Sequence, residues 1–218
     1  CGGTVSKLAE SGRKVVIVDF TRGEMGTRGT PEQRLAEAHK AAEIMGIYKR
    51  INLSRPDGHL EKTEENVTLA IEMIRRFRPR AVLMNQAFER HPDHEAVHKI
   101  VRRAMFLAGL KKVKTEYNGE EQQPYRTRRM YSYLQSYEFP RKPDFYVDVT
   151  ETHEKKMLAI KSYSSQVFVP GKSEEGGPVT RLSRPEFLEE LEAREVQFGA
   201  LVGVRYAEAF VSVEPVVV

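Results

Sequence analysis

The stretch Arg90-His91-Pro92-Asp93-His94-Glu95-Ala96-Val97-His98 gathers imidazoles and carboxylates within nine residues. Neutral imidazole binds divalent metals, imidazolium steadies negative charge, and a carboxylate orients a ring or takes a proton. Three chemistries compete for these residues. Taken as His94-Glu95-Ala96-Val97-His98, the i, i+4 spacing puts two rings on one helix face, able to share a zinc, with Glu95 as the general base of a peptidase. Taken as His91-Pro92-Asp93-His94, His94 is a metal ligand and His91 an acid–base or electrostatic group. Taken plainly, the residues cap a helix or are solvated. The stretch alone leaves all three open.

The elements around it say where it sits. Ala81-Val82-Leu83-Met84 predicts a buried strand, and Ala96 to Leu107 a helix with Pro92 in its first turn. The rings therefore lie where a strand ends and a helix begins, the common ligand crevice of open α/β folds. Upstream, Lys14 to Phe20 is nearly continuous in β-branched residues, as a strand buried on both faces should be. A polar loop, Thr21 to Thr30, follows it. Gly23, Gly26 and Gly29 allow close backbone approach, so the loop is either a substrate contact or an ordinary flexible connection.

Thr30-Pro31-Glu32-Gln33 is a capping-box helix start, and that helix runs to about Met45. Tyr48 to Leu53 is a strand, Ser54 to Gly58 a turn, and Glu64 to Phe77 a helix. The alternation predicts one α/β domain over residues 1–218, with a mostly parallel, doubly wound sheet flanked by helices. Before the first clear strand only a helical pattern, Val5 to Glu10, is present. A parallel domain normally opens with a strand, so the sequence is expected to lack its first strand and the loop after it. Farther on, Lys111 to Gln123 is charged and expected to be exposed. Arg129 to Leu134 and Phe145 to Val149 are strands. Thr150 is expected to cap a helix running to about Tyr163, and Val169 to Gly177 to be loop. A last long helix starts at Ser183-Arg184-Pro185-Glu186, and Val204 to Val213 is expected to be an edge strand. His39, His59 and His153 are expected at the surface or as caps.

The bulk numbers exclude more than they assign. The net charge of +4 over 218 residues, with basic and acidic residues interspersed, gives no nucleic-acid footprint and suits an anionic small molecule only weakly. The single cysteine, Cys1, permits no intrachain disulfide, which fits a reducing, cytoplasmic setting. No apolar run approaches a membrane span and no signal-peptide pattern is visible, so no membrane partner is expected.

Several pieces keep a familiar order along the chain: Gly2-Gly3-Thr4, Asp19 to Glu24 with Gly26 to Thr30, Arg34, Leu53 with Pro56-Asp57-Gly58, Arg90 to His94, Tyr163 with Ser165-Gln166, Phe198-Gly199, and Gly203-Val204 with Tyr206-Ala207-Glu208. With these the sequence resembles the LmbE-like, or PIG-L, deacetylases, and most of all the branch acting on N-acetylglucosaminyl-malate in bacillithiol biosynthesis. The resemblance implies a Rossmann-like fold, one zinc per chain, hydrolysis of the acetamide of a small N-acetylglucosaminyl substrate, and a homo-oligomer, trimer or hexamer. It implies His94 as a metal ligand and His91 as general acid or oxyanion stabiliser, with Asp93 orienting an imidazole. Arg34 and Arg90, with Arg22 and more weakly Arg126, are implied to meet the substrate. Phe187 stands where some relatives carry a tyrosine near the oxyanion. In the family an Ala-His-Pro-Asp-Asp motif precedes Gly-Gly-Thr and supplies two further ligands and the general base. Those groups are expected upstream of Cys1. Glu95 and His98 are not functional positions in the family. A different class, a non-catalytic α/β ligand-binding module, is the alternative if the chain is complete.

Overall fold

The structure is a computed structural model, and it describes residues 1–135, 138–171 and 177–213. Part of the expected Val169–Gly177 loop, residues 172–176, lies outside the described residues. The elements in order are α1 (Gly2–Glu10), β1 (Val16–Thr21), α2 (Pro31–Ile44), β2 (Lys49–Arg55), α3 (Glu64–Phe77), β3 (Ala81–Asn85), α4 (Pro92–Leu107), β4 (Glu116–Tyr117), β5 (Glu120–Glu121), β6 (Arg129–Tyr133), β7 (Phe145–Asp148), a 3-10 turn (Thr150–Thr152), α5 (His153–Lys161), α6 (Glu186–Val202) and β8 (Ala207–Ser212). They form two compact units: Cys1–Asp57 with Tyr146–Glu208, and Gly58–Phe145 with the chain from Ala209 on.

In the first unit β1 and β2 make a parallel ladder from Val16↔Lys49 to Thr21↔Arg55, irregular between Asp19 and Thr21. The predicted capping box starts α2. Thr30 Oγ1 accepts the Gln33 N–H at 3.2 Å, and Gln33 Oε1 accepts the Thr30 N–H at 2.8 Å. Thr150 does not cap α5. Its hydroxyl accepts the Tyr206 N–H at 3.3 Å, and α5 begins only at His153. His153 is buried, not at the surface. Its Nδ1 lies 2.7 Å from Glu195 Oε2, and its ring stacks on Tyr206 at 3.7 Å. Lys156 bridges Glu195 and Glu208, and Glu208 accepts the Gly3 and Thr4 amides at 3.1 and 2.8 Å. A carboxylate thus satisfies free amides at the N-terminus of α1, where the helix dipole favours it.

The four-stranded sheet has the order β3-β6-β8-β7. β3 and β6 are parallel, whereas β6 and β8 are antiparallel, with Tyr131↔Ser212 and Tyr133↔Phe210. The fold is therefore a mixed α/β arrangement, not a mostly parallel sheet. β8 is an internal strand, not an edge. Ala207, Ala209 and Phe210 are buried, so both faces of the strand are apolar enough to be covered. In the second unit Phe145 stacks on Phe210 at 5.2 Å and meets Tyr131 edge-on at 4.9 Å. The charged 111–123 stretch carries a small hairpin, β4 with β5, turned by Asn118 and Gly119 at φ 54° and 81°. No described helix is long and apolar enough to cross a membrane.

Helices α3 and α4 pack together, with Val67, Ile71, Ile100 and Ala104 buried. Buried Arg75 on α3 holds the end of α4. Its guanidinium donates to the carbonyls of Ala108 (3.0 Å), Leu110 (3.0 Å) and Val113 (2.8 Å) and to Thr115 Oγ1 (2.8 Å). It supplies donors for the C-cap carbonyl of α4, Ala108, and for the carbonyls of the segment that follows the helix. Arg75→Leu leaves Ala108 and Leu110 with their backbone donors, Tyr125 and Val113, but removes the donor to the Val113 carbonyl. With about two charge-assisted bonds' worth of net loss at roughly 1.5–3 kcal/mol each, it is expected to cost about 3–5 kcal/mol. Thermal unfolding followed by circular dichroism should show a fall of roughly 10 °C for a chain this size.

Candidate functional site

Two polar clusters carry the predicted site residues, one in each unit, and each is described by itself.

In the second unit the turn after β3 delivers the imidazoles to the N-terminus of α4. His91 is the N-cap, with φ −92° and ψ 124°, and its Nδ1 accepts the Asp93 N–H at 3.2 Å. That bond places any proton of the neutral ring on Nε2. The ring stacks against His94 at 4.9 Å and 24°. Nδ1 of His94 is buried and has no hydrogen-bond partner. Burial pushes the His94 imidazole below its ordinary pKa, and the neighbouring His91 adds to this, while Glu89 and Asp93 act the other way. His94 is therefore a neutral ring with an unspent nitrogen.

The hydrogen bonds of Asp93 go to the main chain. Its carboxylate accepts the Gly58 N–H at 2.7 Å and the Leu60 N–H at 3.2 Å, so it ties the chain after β2 to the start of α4. Asp93 is buried in the first helical turn, where free loop amides are the donors within reach. Glu95 and His98, the other half of the peptidase pattern, are likewise spent on the framework. Glu95 Oε1 accepts the Glu89 N–H at 3.2 Å, and His98 Nδ1 donates to the Asn85 carbonyl at 2.9 Å.

The donor set decides what a metal would find. His94 has the neutral, unpartnered nitrogen that a divalent metal takes. Among the described residues no three His, Cys, Asp or Glu side chains converge as a metal cage. His94 thus fits as one arm of a metal site.

In the first unit the Thr21–Thr30 loop is shaped by its glycines. Arg34, from α2, donates to the Gly23 carbonyl. Its guanidinium fills the space that a side chain at Gly23 (φ 72°) or at Gly26 would need. Asp57 accepts the Thr21 hydroxyl at 3.0 Å and the Met25 N–H at 3.1 Å, and Glu24 Oε1 accepts the Asp57 N–H at 2.9 Å. Below the loop, Arg50 pairs bidentately with Asp19 at 2.6 and 3.0 Å and donates to the Tyr163 hydroxyl at 2.8 Å. Ser165 is held on Glu37, its N–H and hydroxyl each 2.7 Å from a carboxylate oxygen.

The predicted arginines fall in different places. Arg22 is exposed on the clasped loop, and Arg34 lies beneath it. Arg90 is exposed beside His91. Arg126 does not join His91 and His94. It lies over Phe106 at 5.9 Å, at the opposite end of α4, some 15 residues from His91 and so about 22 Å away along the helix axis. The sequence did not single out Glu37, and it assigned no role to Glu24 or Asp57. Pro56-Asp57-Gly58 reads as a turn and as one piece of the family resemblance, and the signal available for its acceptor role was an Asx-type residue before a glycine.

A family model described as GlcNAc-PI de-N-acetylase, PIG-L, matches residues 1–105. The crystal structure of a conserved protein, TT1542, from Thermus thermophilus is 34% identical, covers 100% of this chain and 90% of its own, and superposes with a TM-score of 0.85. The chain belongs to the PIG-L family. Among PIG-L relatives, diacetylchitobiose deacetylase of Thermococcus kodakarensis is 31% identical over 76% of this chain and 64% of its own. The 1D-myo-inositol 2-acetamido-2-deoxy-alpha-D-glucopyranoside deacetylase of Kineococcus radiotolerans is 29% identical over 49% of this chain and 41% of its own. The chain thus spans less than two thirds of the length of these curated relatives.

Proposed function

We propose that the protein is a zinc-dependent hydrolase that removes the acetyl group from an N-acetylglucosaminyl conjugate, with an acidic aglycone such as malate, in bacillithiol biosynthesis. The observation that carries the reading is the His91–His94 pair at the N-terminus of α4, with the Nδ1 of His94 buried and unpartnered, on a PIG-L chain. His94 would hold the metal, together with the ligands that the resemblance places ahead of Cys1. Bound zinc would lower the pKa of a water and polarise the acyl carbonyl. His91, whose Nδ1 in the neutral ring accepts the Asp93 N–H, would donate a hydrogen bond from Nε2–H to the acyl oxygen as charge develops. The imidazolium form, with Nδ1 protonated and released from that bond, would give its Nε2 proton to the leaving amine. The helix N-terminus adds fixed positive potential at the same place. Asp93 would act through the main chain, keeping the first turn of α4 in register with Gly58 and Leu60.

The names of the curated relatives share an acetamido sugar and differ in aglycone. An acidic aglycone is favoured here by exposed Arg22 and Arg90, whose planar guanidinium groups suit a carboxylate. Arg34 is a weaker contact, since it is engaged with Gly23. The same reading carries a single domain working in the cytoplasm as a trimer or hexamer. The test is acetate release from N-acetylglucosaminyl-malate, diacetylchitobiose and the inositol glycoside in parallel. One bidentate arginine–carboxylate contact should raise kcat/KM for the malate conjugate at least about 10-fold over the uncharged ones. A preference for an uncharged conjugate would move the reading to another N-acyl amino sugar. Metal-loaded protein that releases acetate from none would end it, in favour of a binding module.

A further inference from the structure

The Thr21–Met25 segment and the Pro56-Asp57-Gly58 turn are joined by a reciprocal set of bonds that nothing in the proposed chemistry requires. One Asp57 oxygen accepts the Thr21 hydroxyl and the other accepts the Met25 N–H, while the Asp57 N–H is itself accepted by Glu24. The backbone bond of Glu24 to Asp57 holds the Glu24 carboxyl below its usual range, so it stays ionised at neutral pH. Arg34 donates to the Gly23 carbonyl, and the Gly26 N–H closes back on the same carbonyl at 2.9 Å. Thr21, Gly23, Glu24 and Met25 are all fixed, and the residue they bracket is Arg22, exposed.

We propose that Asp57 is a positioning residue which, with Glu24, locks the Thr21–Met25 segment and so presents the Arg22 guanidinium to the carboxylate of the substrate's aglycone. The physical basis is preorganisation. An exposed arginine on a free loop must be ordered on binding, and each immobilised long side chain and its backbone reduces affinity. On a clasped loop that ordering is already present. The positioning claim rests on the acidic-aglycone reading above. The clasp itself does not.

The test uses Asp57→Ala, Asp57→Asn and Glu24→Gln in the whole protein. Asparagine keeps the clasp, because its Oδ1 accepts the Met25 N–H while its Nδ2 donates to the Thr21 hydroxyl. Alanine breaks it. Two quantities are read: hydrogen exchange at the Met25 amide, and KM with kcat for the malate conjugate against an uncharged one. In Asp57→Ala the Met25 amide should exchange at least about 10-fold faster, since one such bond is near 1 kcal/mol or more. KM for the malate conjugate should rise about 5–20-fold, with kcat and the uncharged conjugate changed less than about 2-fold. Asp57→Asn should restore both, and Glu24→Gln should lie between. Unchanged exchange in Asp57→Ala overturns the clasp whatever the kinetics. Faster exchange with KM shifted equally for both conjugates overturns the link to Arg22. If wild type turned over neither conjugate, the functional reading and the Arg22 link fall together, and exchange alone decides the clasp.

Discussion

His94→Ala is expected to abolish acetate release, by about 10³-fold or more, and to lower bound metal in step. A Lewis-acid metal supplies several kcal/mol of charge stabilisation in an acyl transfer, and about 4 kcal/mol is a factor near 10³. The structure says how this loss differs from mere unfolding. Nδ1 of His94 has no hydrogen-bond partner, so removing the ring breaks no polar contact at that nitrogen. The thermal midpoint of the metal-free variant should stay within about 3 °C of the metal-free wild type. His98→Ala should give the mirror image. It loses the 2.9 Å bond to the Asn85 carbonyl and leaves that buried oxygen poorly satisfied, a cost of about 1–3 kcal/mol. It should keep its metal. If His98→Ala lost the metal and His94→Ala kept it, the peptidase pattern would be the right description of these residues. Metal content by mass spectrometry, calorimetry and acetate release on the two variants decide it together.

These contrasts show what could be read before any coordinates. The helices were legible where capping and apolar spacing agree. Thr30-Pro31-Glu32-Gln33 states its own capping box, and α3 spans Glu64–Phe77 and β3 Ala81–Asn85 as their apolar patterns predict. The placement of His91 and His94 followed from those boundaries alone. What failed needed long-range partners. Val204 to Val213 reads as an edge strand because its own pattern cannot say that β6 and β7 flank it. Thr150 has the chemistry of a cap, but the Tyr206 amide takes its hydroxyl. His153 looks like a surface histidine until Glu195 and Tyr206 arrive from distant segments. The Asn118-Gly119 hairpin, by contrast, was readable locally and was hidden only by the charge around it.

The carboxylates divide along the same line. Asp93 sits between two histidines in sequence, and the family resemblance implies that it orients an imidazole. In space the nearest donors to its oxygens are the Gly58 and Leu60 amides. Sequence proximity on a helix fixes direction only for residues three or four apart, and Asp93 is two from His91 and one from His94. Asp57, read as a turn residue, emerges as the acceptor that organises a loop far upstream. The residue types were right for polar work in both cases, and only the partners distinguish orienting a ring from holding a backbone.

His91 caps α4, and the proposed reaction gives it a chemical task as well; one substitution separates the two. Its Nδ1 caps α4 through the Asp93 amide, while Nε2 is the nitrogen that the proposed reaction would use. His91→Ala removes both, so a loss of activity there would be ambiguous, with a cap alone contributing about 0.5–2 kcal/mol. Asparagine is among the best N-cap residues and has no group that titrates near neutrality. His91→Asn is therefore expected to keep the fold within about 1 kcal/mol of wild type and to retain the metal on His94. Its kcat should nonetheless fall by about 10²–10⁴, the usual worth of a positioned acid–base group. KM for the malate conjugate should change little, since the arginines that would hold the aglycone are untouched. Stopped assays of acetate at saturating substrate, beside chemical denaturation of the same samples, separate the alternatives. A stable, metal-loaded His91→Asn protein with near wild-type kcat would mean that His91 serves α4 as a cap and takes no part in moving the proton.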